Sequence, residues 1–144
     1  MNPKKLLFTI GVIVSVALFV FAIWGGFAVY DYFFPMAEAI TYPTNEEVTL
    51  VSLSQNNGTS IQVDNAELVV LLEHIGNVAP TRKWSVQDYP TAKAYYTIEL
   101  HTEKRLYRYF VYTEGSQVYV ESPYKGIYIA DYQILRFIHK HYGK

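Results

Sequence analysis

The side chains that could do chemistry are carboxylates, histidines, hydroxyls and a knot of cations around Trp84. A hydrolytic carboxylate pair would have to be assembled from Asp88, Glu99 and Glu121, which are far apart in sequence, so only the fold could bring them together. A serine nucleophile needs a positioned base, and no G-x-S-x-G elbow is present. His139 and His141 stand two residues apart on an expected helix and so face different ways, whereas a helical metal pair needs a spacing of four. His74 and His101 have no ligand-type neighbours, and the chain has no cysteine. The residues therefore assign no catalytic group, metal site or cofactor, and the expectation is a protein that is not an enzyme.

Binding is better supported. Arg82, Lys83, Trp84 and Asp88 share one long loop, and a tryptophan exposed beside cations is a common anchor of recognition surfaces. Arg82, Trp84 and Asp88, with Tyr124 and Tyr128 from the turn at 123–128, are the candidate ligand-binding residues. The structural alternative has Trp84 over a sheet edge, Arg82 paired with Asp88, and Gly126 simply allowing a turn. All but two of the 14 tyrosines follow Tyr32; they suit either a contact surface or half-exposed strands. Arg105 and Arg108 among tyrosines have the look of a single-strand nucleic-acid platform. A net charge of −1 argues against that partner and leaves a protein, a peptide or a cell-envelope polymer.

These residues must be positioned by a small α+β domain. Residues 47–54 alternate, turn through Asn56-Asn57-Gly58 and return over 59–63 as a hairpin. Asn57-Gly58-Thr59 is also a glycosylation sequon, but the turn explains it sufficiently. Asp64 and Glu67 have the spacing of a capping box, and Leu68, Leu71, Leu72 and Ile75 form a helical stripe that Gly76 closes. A loop over 77–91 follows, then strands over 92–102, 105–113 and 117–122, a short extended piece at 127–130, and a last helix capped by Asp131. The order is β-β-α-β-β-β-α, an antiparallel sheet with two helices.

With Thr81-Arg82, Ser85-Val86-x-Asp88-x-Pro90, Tyr107-Arg108-Tyr109 and Pro123-Tyr124-x-Gly126-Ile127-Tyr128, the chain resembles a family of small exported Gram-positive (Firmicutes) proteins classed as a domain of unknown function. The resemblance covers residues 47–142, and its most specific piece is Pro-Tyr-x-Gly-Ile-Tyr. It implies membrane or surface attachment and brings no activity, cofactor or catalytic residue.

Residues 6–30 carry no charged side chain and are long enough to cross a bilayer as a single helix. Lys4 and Lys5 precede them, while Asp31, Glu38, Glu46 and Glu47 follow with no cation before Arg82, so the positive-inside rule keeps the N-terminus in the cytoplasm. Trp24, Tyr30, Tyr32, Phe33 and Phe34 form an aromatic collar at the outer end. Ala37-Glu38-Ala39 could serve a signal peptidase, but the apolar run is longer than a cleaved signal requires. The expected organisation is a cytoplasmic tail at 1–5, a transmembrane helix at 6–30, a stalk at 31–46 and an extracellular domain at 47–144. The expected role is a single-pass, membrane-anchored binding or accessory domain, with an envelope-acting hydrolase or a structural spacer subunit as alternatives.

Overall fold

The computed structural model describes residues 3–34, 36–56 and 58–143. Pro35 of the expected stalk and Asn57 of the expected turn and sequon lie outside them. The chain divides into two compact units, Met1–Pro35 and Met36–Lys144.

The first unit is one helix, α1 (Pro3–Phe33), whose 31 residues bury no side chain. Its most apolar 18-residue stretch has a mean hydropathy of 2.9. At about 1.5 Å per residue the helix exceeds the roughly 30 Å hydrocarbon core of a bilayer. It is apolar on every side, as a lipid-facing helix must be. At its C-terminal end Tyr30 packs on Phe34 and Tyr32 on Phe33, with ring centroids 5.1 and 5.2 Å apart.

The second unit is built on a single antiparallel sheet. Its strands are β1 (Val48–Gln55), β2 (Ile61–Gln62), β3 (Ala79–Pro80), β4 (Tyr96–Thr102), β5 (Leu106–Glu114), β6 (Gln117–Ser122) and β7 (Gly126–Ala130). In space they run β2-β1-β4-β5-β6-β7-β3. The helices α2 (Leu68–Gly76) and α3 (Gln133–Tyr142) cover one face. The α+β class and the expected order hold, with β3 and a full β7 added. β5 is central, as its aromatic residues on both faces require.

Alternation puts Val51 and Leu53 of β1, Ile98 and Leu100 of β4, Val111 of β5 and Val120 of β6 against the helices, all fully buried. They meet the stripe of α2, Leu68, Leu71, Leu72 and Ile75, and from α3 Ile134, Leu135, Phe137 and Ile138. Each such side chain contributes roughly 1.5–3 kcal/mol by leaving water. Val48 shares this core although strict alternation from Val51 would turn it outward. A bulge explains it: Val48 opposes Thr102 and Leu50 opposes His101, so Thr49 is the extra residue and turns the strand back.

The expected stalk is corrected. α1 continues to Phe33, and residues 36–46 belong to the folded domain. Ala37 is buried, its N–H donating to Thr81 O at 2.8 Å, and the Tyr109 hydroxyl donates to Thr41 O at 2.6 Å. Gly126 makes this packing possible: its φ is +152°, and a Cβ there would stand 2.2 Å from Ala37 Cβ. Gly76 has a different role from the expected left-handed cap. It lies inside α2, and the Tyr42 ring occupies the space a side chain would need.

The expected capping box is corrected too. Asp64 Oδ1 accepts from Ala66 N at 3.1 Å, but Glu67 turns away to α3. Its carboxylate takes Lys140 Nζ and, at 2.6 Å, His141 Nε2. Lys140 first and His141 second hold the Glu67 carboxyl below its ordinary value of 4.5. The folded state therefore binds this proton less readily than the unfolded chain. The contact stabilises fully above the unfolded value and is lost as pH falls through the lower folded one. Glu67→Gln should lower the melting temperature at pH 7, with the gap to the parent closing as melts are taken into acid; a gap that persists unchanged at pH 3 would refute the link.

Candidate functional site

The middle of the helix-free face of the sheet is covered by chain rather than by helix, while Ile129 and Leu106 on the same face stay exposed. Residues 81–95 leave β3 and run over it as a strap. Thr81 N and Oγ1 both donate to Ile127 O, at 3.1 and 2.6 Å, and Ile127 N donates to Lys83 O at 3.1 Å, extending the pairing of β3 with β7. Lys83 then pairs with Glu114 at 3.1 Å and lies over the Tyr119 ring. Further along, Tyr89 and Tyr95 pack on Phe110, which is fully buried.

The strap is pinned by an acid. Glu121 is 4% exposed; Ser85 Oγ donates to its Oε1 at 2.6 Å and Tyr112 OH to its Oε2 at 3.1 Å. Burial, reinforced by the neighbouring Glu121, pushes the Tyr112 phenol well up, so it stays a donor. A buried carboxylate is costly unless donors replace its water. The expected loop at 77–91 is thus a strap with its own small core.

The sequence-selected residues part company here. Arg82 and Trp84 sit exposed on the strap, Trp84 at 40%. Asp88 and Tyr124 do come together, Tyr124 OH donating to Asp88 Oδ1 at 2.7 Å. Tyr124 holds a φ of +60° at the tip of the β6–β7 turn. Tyr128 is corrected: its register opposite Val120 and Pro80 turns it to the helix side, where it is fully buried. Burial raises its phenol.

The three carboxylates weighed for hydrolysis are engaged separately. Glu99 accepts from Arg108 at 2.8 and 2.9 Å with His101 beside it, Glu121 is locked under the strap, and Asp88 is on the surface with Tyr124. The histidines are also separate: His74 against Phe137, His139 against Tyr96, His141 on Glu67 and His101 near Glu99.

The sequence reading missed the polar cleft of about 260 Å³ at the end of the sheet. The start of β5 forms one side, with Arg105, Tyr107 and Arg108; the β6–β7 turn gives Pro123 and Lys125; Thr41 and Asp88 close it. Arg105 lies over the Tyr107 ring, 4.2 Å from its centroid, and donates to the Tyr107 hydroxyl. Lys125 Nζ donates to Thr41 Oγ1 at 2.5 Å. Among the described residues neither cation has a carboxylate within salt-bridge distance. The available signal was Pro123, which cannot continue a ladder.

Fold and cleft together define a single-sheet α+β domain, strapped on one face and preceded in the chain by an apolar helix. The chain belongs to the DUF5301 family, described as a domain of unknown function (DUF5300), whose model matches residues 36–129. That match begins where the folded unit begins. It is also similar to a solved structure, the NMR structure of a protein from Ruminococcus gnavus. The two are 31% identical over 64% of this chain and 91% of the other, with a TM-score of 0.55. No curated protein matches the chain.

Ser85→Ala should destabilise the domain by about 1–3 kcal/mol, because half of the buried carboxylate loses its donor. Urea unfolding measures this. A loss below about 0.5 kcal/mol, the range of an ordinary surface change, would show that the strap is held without Glu121.

Proposed function

We propose that this chain is a single-pass membrane protein whose second unit is an extracytoplasmic, non-catalytic binding or accessory domain. The cleft beside β5 carries the reading: Arg105 and Lys125 converge on it and are met only by neutral oxygens. Cations not paired with a carboxylate in a concave site suit a ligand that brings the charge.

The anchor is supported by the length and apolar surface of α1, the orientation by Lys4 and Lys5 on its N-terminal side. Exposure of Trp84, Val86 and Tyr89 on the strap favours a contact surface over a bare spacer. The three separately engaged carboxylates offer no hydrolytic pair. The partner is a protein, a peptide or an envelope polymer.

The lack of cysteine makes topology directly readable. Lys93→Cys introduces a single thiol at an exposed position. A membrane-impermeant maleimide should label it in intact cells, on a membrane-bound species of full-length mass. Labelling only after lysis would overturn the orientation, and a shortened, released product would overturn the anchor.

A further inference from the structure

We infer that the cleft seats an acidic peptide in extended conformation, added as a short strand to the open edge of β5. This rests on the reading of the cleft as a binding site and names its occupant.

The edge follows from register. Thr102 N donates to Arg105 O across the β4–β5 turn, and Leu100 opposes Tyr107 while Ile98 opposes Tyr109. Antiparallel pairing alternates, so Tyr107 and Tyr109 spend their main-chain groups on β4. Leu106, Arg108 and Phe110 aim theirs the other way. β6 takes up Phe110 through Glu121. Two residues on, the position opposite Arg108 would be Pro123, which has no N–H to give. There the chain leaves: Lys125 N donates back to Ser122 O at 3.1 Å, Tyr124 takes its left-handed conformation, and β7 begins. Among the described residues the main-chain donors and acceptors of Arg108 and Leu106 face the cleft with no strand beside them.

Charge selects the occupant. Three cations line the cleft against one carboxylate, Asp88, which already accepts from Tyr124. Arg108 is neutralised by Glu99, whereas Arg105 and Lys125 have no carboxylate in salt-bridge contact among the described residues, Glu47 acting on Arg105 only at longer range. A peptide running along β5 meets N–H and C=O groups at two-residue intervals, about 7 Å apart. It can answer both, as in other strand-addition complexes, with acidic side chains reaching Arg105 and Lys125. The phosphodiesters of a phosphate polymer could meet the cations and the N–H groups but have no hydrogen to give the carbonyls, which an amide backbone supplies at the strand repeat.

The test uses the full chain in detergent micelles and calorimetric titration. The probes are a capped octapeptide with glutamate at alternate positions, the same peptide N-methylated at alternate amides, its glutamine counterpart, and a short glycerol-phosphate polymer. The glutamate peptide should bind, with affinity falling with salt. N-methylation, glutamine replacement and the double variant Arg105→Gln/Lys125→Gln should each weaken it about tenfold or more. Equal binding of the N-methylated peptide overturns strand addition. Binding of the polymer but not the peptide overturns the inference while keeping the cleft as a binding site. If no probe binds, both fall.

Discussion

The domain turns on one buried carboxylate. Glu121 projects from β6 onto the face that no helix covers, and its solvation is replaced by two hydroxyls, one from the neighbouring strand and one from the strap. An acid cannot be left bare in such a place, so the strap has to lie where Ser85 reaches it. Once it does, Tyr89 and Tyr95 both pack on Phe110, and Asp88 arrives at the β6–β7 turn. A hydrogen-bonding requirement thus covers the middle of one face of the sheet, while apolar burial against α2 and α3 covers the other.

Residues 36–44 play the matching part at the sheet's end. Ala37 enters the space that Gly126 keeps free, Thr41 receives Tyr109 and Lys125, and Tyr42 lies over Gly76. The same few residues support the core and furnish a wall of the cleft. The family match likewise starts at residue 36 and not at the first strand.

What could be read in the sequence is what repeats. The stripe of α2, the alternation of β4 and β5, the tight turns between strands and the apolar run of α1 all announce themselves by period or length. Residues 36–46 and 81–95 have no period, because their burial is set by partners distant in sequence: Thr81 for Ala37, Glu121 for Ser85. Glu67 misleads because a capping box and an ion pair to α3 ask for the same residue type. Tyr128 looks available within its turn motif, yet it shares a face with Gly126 and Ala130 and is buried with them. The cleft was hidden for another reason: Pro123 matters only once Arg108 is known to stand opposite it. Of the candidate site, Asp88 and Tyr124 were legible only as separate candidates, which the fold pairs, and Arg105, Lys125 and Thr41 were not legible as their neighbours.

The two outermost strands, β2 and β3, are two residues each. A rim that short offers too few main-chain groups to template a neighbour. Copies of the domain crowded side by side would therefore not polymerise sheet to sheet through these rims. The sheet can keep an unpaired stretch of β5 inside a cleft without its outer edges competing for the same kind of contact.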